Sequence, residues 1–138
     1  MAYYNKIGLL ILNEDQTKFL VCEKASDDIT SQYIMPGGQL QEKNYLECLR
    51  NEIKEELDCQ VDETSLELIG EYEDIAAGHV NETVKITLYQ GRLVGTPVPS
   101  SEIKKIHWIG KEERNSEKVS AIICHKIIPD LVEKGIIN

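Results

Sequence analysis

Pro36-Gly37-Gly38-Gln39-Leu40-Gln41-Glu42-Lys43-Asn44-Tyr45-Leu46-Glu47-Cys48-Leu49-Arg50-Asn51-Glu52-Ile53-Lys54-Glu55-Glu56-Leu57-Asp58-Cys59 decides how the remaining chain is read. Pro-Gly-Gly cannot continue a helix, Asn44 is a good N-cap, and Leu46, Leu49, Ile53 and Leu57 recur at helical spacing. The stretch therefore predicts a loop followed by a helix. At about 100° per residue, Glu52, Glu55 and Glu56 fall in one arc beside the apolar stripe, while Glu47, Arg50 and Lys54 lie away from it. Like charges so close repel and raise one another's pKa, a cost that a cation among them removes. Oxygen-only ligands suit Mg²⁺ or Mn²⁺ rather than zinc, and Mg²⁺ combines one or two carboxylates with water and substrate phosphate. The stretch points to phosphate chemistry.

The length of 138 residues suits one domain, 1–138, able to bury a core without staples. A net charge of -9 and a pI near 4.8 argue against a nucleic-acid binder or a binder of anionic membranes, since both need a basic face. Cys22, Cys48, Cys59 and Cys124 form no CxxC pair and have no ligand-like spacing with histidine, which favours a reduced compartment. The apolar run Leu9-Leu10-Ile11-Leu12 is too short for a signal or membrane segment. A cytoplasmic protein is expected.

Along the chain, Lys6 to Leu12 and Phe19 to Lys24 are apolar runs around a polar turn and predict a hairpin. Tyr33-Ile34-Met35 predicts a short strand leading into the glycine turn. Leu66 to Ile75 and Val84 to Val94 predict strands, with Val84, Ile86 and Leu88 on one face and Lys85, Thr87 and Tyr89 on the other. Between them, Ala76 to Glu82 predicts a substrate-facing loop. Gly95 to Glu102 is turn-rich. Ile103 to Ile109 predicts a final strand with Trp108 in the core, and Val119, Ile122, Ile123, Ile127 and Leu131 predict a helix interrupted by Pro129 and closed near Gly135. The histidines form no ligand pair by spacing and read as structural or surface residues. Mixed strands with two helices give an α/β layered domain.

On the residues quoted first, the chain resembles the Nudix hydrolases, enzymes that cleave nucleoside diphosphates linked to another moiety. Glu52-Ile53-Lys54-Glu55-Glu56 matches the helical core of the Nudix box without a gap, and Gly37-Gly38 occupies the preceding turn. Three positions depart from the family's pattern: Lys43 stands where a Glu is expected, Asn51 where an Arg is, and Asp58 where a Gly is. Counted from Gly38, the loop is one residue short. Asp58 would be a left-handed C-cap with a modest strain, on the order of 1 kcal/mol. Asn51 can donate a hydrogen bond but lacks the charge and fork of Arg. Lys43 either lowers metal occupancy or touches a substrate phosphate, and Glu42 is a candidate stand-in for the missing acid.

The resemblance implies an α/β/α sandwich around a central mixed sheet, and a Mg²⁺- or Mn²⁺-dependent pyrophosphohydrolase acting on a nucleotide or nucleotide sugar. It makes Glu55 and Glu56 metal ligands, Gly37 the source of a ligand carbonyl, and Glu52 a ligand or the general base. Relatives often draw an acid from a loop after the box, so Glu102 is either a late ligand or base, or a solvated loop residue. Dimerisation is frequent among relatives, so a homodimer is compatible with the resemblance. No proline follows the box where ADP-ribose pyrophosphatases carry one, and no Ser-Gln-Pro-Trp-Pro-Phe-Pro run follows as in NADH pyrophosphatases. Those substrates are demoted. The alternative to an enzyme is a catalytically weak or inactive nucleotide-binding module, suggested by Lys43 and Asn51.

Overall fold

The computed structural model describes residues 3–25, 32–40, 44–75 and 82–138. Glu42, Lys43 and most of the expected substrate loop, 76–81, lie outside the described residues. β1 (Tyr3–Leu10) is the hinge of the architecture. It pairs antiparallel with β3 (Gly37–Gln39) on one side and parallel with β5 (Thr83–Val94) on the other, and β4 (Gln60–Ile75) closes the far side of β5 antiparallel. The order β3-β1-β5-β4 is a mixed sheet. β2 (Phe19–Lys24) and β6 (Ile103–Ile109) form a separate antiparallel pair.

Alternation along β1 divides the core in two. Ile7, Leu9 and Ile11 pack with Leu49, Ile53 and Leu57 of helix α1 (Tyr45–Leu57), whereas Leu10 joins Ile123, Ile127 and Leu131 on the opposite face. Those last residues belong to the C-terminal helical segment, a π turn at Ile123–Ile127 running into α2 (Ile128–Glu133). Helices thus cover both faces of the mixed sheet, the expected α/β/α sandwich. β5 sits between two neighbours and under both layers, which is why Thr87, on the face opposite Leu88, is buried as well and Tyr89 packs in the α1 cluster.

Several expectations from local pattern change once non-local pairing is seen. The Phe19 and Leu12 backbones do bridge, and Asn13 N donates to Lys18 O at 2.9 Å, so the hairpin turn forms. Its arms then part, β1 into the mixed sheet and β2 onto β6. Residues 33–34 make only isolated bridges, to Cys22 and Val119, and the strand proper begins in the glycine pair itself. β4 starts at Gln60 rather than Leu66 because two register shifts, at Asp62/Glu67 and Leu68/Gly70, let one strand absorb the irregular stretch. Trp108 is not core: on the outer strand β6, with β2 as that strand's partner, it is 39% exposed.

Pro129 does not interrupt the last helix. The preceding turn widens to π geometry, with Ile128 N donating to Ile123 O, which gives the helix an extra residue per turn just where the proline ring would otherwise meet a carbonyl. The segment continues to Lys134 and ends at Gly135, whose φ of 71° suits glycine. Tyr72 of β4 hydrogen-bonds Asp130, and Lys134 reaches Asp130 and the Ile69 carbonyl, fixing α2 to the sheet. His107 stacks on Tyr33 at a centroid distance of 4.2 Å and hydrogen-bonds Glu23 at 2.8 Å, a structural role.

α1 carries its own start and stop. The Asn44 side chain accepts from Glu47 N at 3.0 Å, and Asp58 adopts φ 52°, ψ 39° while its N–H donates to Lys54 O. The Lys54–Asp58 ion pair at 3.0 Å is exposed on both sides and adds little. Asp58→Gly should therefore raise stability by about 1 kcal/mol, the cost of a left-handed non-glycine residue. Urea unfolding checks this, and an unchanged or lower midpoint would show that the cap is unstrained.

Candidate active site

The glycine turn and the last turns of α1 meet at the free side of β3. Glu56, 5% exposed, accepts a hydrogen bond from Gly37 N at 2.8 Å. Gly38 is pressed against the next carboxylate up the helix: a Cβ there would stand 2.2 Å from Glu52 Cδ and 2.4 Å from its Oε2. Each glycine has a separate reason. Gly37 has φ 142° and would drive a Cβ to 2.1 Å from the Ile7 carbonyl oxygen, whereas Gly38 makes room for Glu52.

The three box glutamates are not equivalent. Glu56 is buried, Glu52 is half-buried beside Gly38, and Glu55 is exposed. Of the predicted apolar stripe, Leu49, Ile53 and Leu57 are buried and Leu46 stays exposed at the start of the helix. Burial, more than repulsion between carboxylates, pushes the Glu56 pKa up to about 7; the Gly37 N–H opposes this and Glu52 adds to it. Burial likewise raises Glu52, with Glu55 and then Glu102 contributing. Both acids are stabilised in the protonated form and would gain from a cation.

The loop after β5 is fastened to the same helix end. Val98 N donates to Leu57 O at 2.8 Å and Ser100 N to Glu56 O at 3.0 Å. Glu102 follows, its carbonyl accepting from Ala25 N at 2.7 Å and its carboxylate facing Lys24 Nζ at 3.7 Å. The structure thus brings Glu102 into the electrostatic reach of Glu52 and Glu56. Two cations that sequence reasoning passed over, Lys6 of β1 and Lys24 of β2, act on the same carboxylates. No spacing rule could have found them, because they lie on strands of different sheets. Asn51 is exposed, and the Arg50 guanidinium is turned to Glu63 at 3.0 Å, so neither serves as the family's arginine.

Among the described residues no group of three His, Cys, Asp or Glu side chains forms a ready-made metal cage. The donor set nevertheless fits a hard divalent ion. Mg²⁺ is content with one or two carboxylates and fills its other positions with water and phosphate oxygen, and Glu52 with Glu56 offers that pair beside a glycine turn. The buried, proton-retaining Glu56 is the signature of a carboxylate lacking a full positive partner.

A family model described as NUDIX domain matches residues 3–126. In structure the chain is similar to the MutT protein from Methanosarcina mazei, at 18% identity and a TM-score of 0.73 over 96% of this chain and 96% of that one. It is also similar to the E. coli ORF135 protein, at 14% and 0.72 over 96% and 91%, and to a NUDIX hydrolase from Nitrosomonas europaea, at 17% and 0.67 over 96% and 87%. At these identities the likeness shows the fold. No curated protein matches the chain in sequence at a significant level. Among the described residues no helix is long and apolar enough to cross a membrane. With the glycine turn, the carboxylate helix and the order of strands all within the span of that family model, the chain belongs to the Nudix family and is a pyrophosphohydrolase acting on a small-molecule substrate.

Proposed function

We propose that the chain hydrolyses the pyrophosphate bond of a nucleoside diphosphate linked to another moiety, a nucleotide or nucleotide sugar, with Mg²⁺ or Mn²⁺ as cofactor, in the cytoplasm. The observation that carries this reading is the joint placement of Glu56 on Gly37 N–H and of Glu52 against Gly38. Glu52, Glu55, Glu56 and the Gly37 carbonyl would hold the ion. Nudix hydrolases generally use divalent metals, and a bound ion neutralises charge on the diphosphate and lowers the pKa of the attacking water. Glu56 is oriented by the Gly37 amide and must give up its proton for the site to carry full charge near neutral pH. Glu52, half-buried with a raised pKa, is suited to accept a proton from water at neutral pH. Glu102 sits where its charge strengthens that basicity.

One observation favours a slower enzyme or a nucleotide-binding module: Asn51 is exposed, Arg50 is held by Glu63, and among the described residues no arginine is ion-paired with Glu55. A panel of nucleotides with Mg²⁺ and with Mn²⁺, read by product analysis beside calorimetry, separates the two. Tight binding without product across the panel would select the module. In an active protein, Glu52→Gln and Glu56→Gln should each lose at least about 10²-fold in turnover, the scale of a positioned base or charge stabiliser. Near-wild-type rates in both would remove this cluster from the chemistry.

Gly38→Ala tests the space reserved for Glu52. The clash is with the flexible end of a side chain, so stability should fall by less than about 1 kcal/mol, whereas turnover should drop about a hundredfold as the carboxylate is displaced. Equal turnover in the variant would mean that Glu52 needs no fixed position.

The pKa of Glu56 also predicts the pH dependence of stability in chelator. Folded Glu56 binds its proton up to about pH 7 and unfolded Glu to about 4.5, so the native state holds more protons in that window. Stability should fall as pH rises from about 4.5 to about 7, by on the order of 3 kcal/mol, and level off above. Glu56→Gln should remove most of the fall and leave the part that Glu52 contributes; identical pH profiles for the two proteins would contradict a buried, protonated Glu56.

A further inference from the structure

Glu102 is held more firmly than an exposed loop acid needs. Ile103 N donates to Ser100 O at 3.0 Å and closes a tight turn in which Ser101 has φ 56°, a left-handed conformation that strains a serine. The turn hangs on the carboxylate helix, because Ser100 N donates to Glu56 O at 3.0 Å and Ile103 packs in the cluster of Ile53 and Leu57. From the other side Ala25 N donates to Glu102 O at 2.7 Å. The backbone of Glu102 is fixed on both flanks.

The partner of its carboxylate is placed with equal care. Leu20 and Cys22 of β2 lie in the α1 cluster and Phe19 and Val21 in the opposite one, so alternation puts Lys24 on the α1 face. Glu23 pairs with Lys105 but Lys24 with Ile103, so β6 bulges at Lys104. An unbroken register would set Lys24 opposite Lys104. The bulge instead brings Lys24 beside Glu102, at 3.7 Å between Nζ and Oε1, and leaves Lys104 to Glu23 at 3.6 Å. A bulge gives up ladder pairing and a left-handed serine is strained, and an ion pair whose side chains are 38% and 63% exposed restores almost none of that stability. What the arrangement does achieve is to orient a carboxylate.

We propose that Lys24 is a positioning residue: it holds the Glu102 carboxylate on the α1 side of β2, at the end of the helix that carries Glu52 and Glu56, where that carboxylate helps to retain the ion. This rests on the ion site of the hydrolytic reading above and adds to it a residue outside the Nudix box. In the rival account Lys24 and Glu102 are a solvated surface pair, and neither influences the other's effect on the ion.

The probe is MnCl₂, titrated by calorimetry into wild type, Lys24→Met, Lys24→Arg, Glu102→Gln and the double variant Lys24→Met with Glu102→Gln, with urea midpoints for each. The midpoints should hardly move, since an exposed ion pair adds little. Glu102→Gln should weaken Mn²⁺ binding about tenfold, the scale of an outer partner of a metal site. Removing the Lys24 charge by itself favours a cation, so in the Glu102→Gln background Lys24→Met should leave Mn²⁺ affinity equal or tighter. In wild type the same substitution should weaken Mn²⁺ at least about threefold, while Lys24→Arg should stay within about twofold. An effect of Lys24 that depends on Glu102 in this way is the mark of positioning. Effects of the two substitutions that add within about twofold overturn the proposal, as does wild type that binds no Mn²⁺. Coupled Mn²⁺ binding without hydrolysis of any nucleotide would instead sink the hydrolytic reading alone.

Discussion

The hydrogen bond from Gly37 N to Glu56 Oε1 is the constraint on which the site depends. A carboxylate that is almost fully buried needs a donor, and here the donor is the backbone of a glycine that no side chain could replace. Removing the bond would leave a buried acceptor unsatisfied and free the glycine turn from the helix. The same residue binds a third segment through its main chain, because Ser100 N donates to Glu56 O. Glu56 therefore ties together the turn before α1, α1 itself and the loop after β5. The site is built from segments distant in sequence that converge on one side chain and its own carbonyl.

Charge is distributed unevenly in consequence. The chain carries a net charge of -9, yet two of its lysines are spent next to its most crowded acids. Lys24 is answered by Glu102, while Lys6 is answered only at a distance. Glu52 and Glu56 accordingly have raised pKa values and Lys6 a lowered one, burial being the first cause of each.

What could be read from sequence was what is local. The caps of α1 were legible because Asn44 and Asp58 act within one turn of chain, and the buried stripe of Leu49, Ile53 and Leu57 follows from a fixed period. The alternation of β5 was equally plain, though not that Thr87 would be covered by a second layer. The parting of the hairpin arms was not legible, since Leu10 and Phe19 each satisfy a strand pattern whichever sheet they join. Trp108 looked like core because apolar character says nothing of whether a strand lies at an edge. Pro129 looked like a break because the widened turn that accommodates it depends on bonds between main-chain groups, not on side-chain pattern. In the site, the shared flank of Glu52, Glu55 and Glu56 was legible, but their graded burial, from exposed to buried, is set by where Gly37 and Gly38 lie against them.

The direction in which α1 runs has a consequence of its own. Its peptide dipoles add so that the C-terminal end is the negative pole, and Glu52, Glu55 and Glu56 all lie in the last turns of this 13-residue helix. For the carboxylates this is an adverse position, worth about 0.3 to 1 kcal/mol each where the charge is near the pole. The amides of Val98 and Ser100, aimed at the Leu57 and Glu56 carbonyls, bring their positive ends to that pole and quench part of it. What remains is a field that belongs to the backbone rather than to any side chain. A cation that came to rest on Glu52 and Glu56 would be held by that field as well, and the attraction would outlast neutralisation of all three acids.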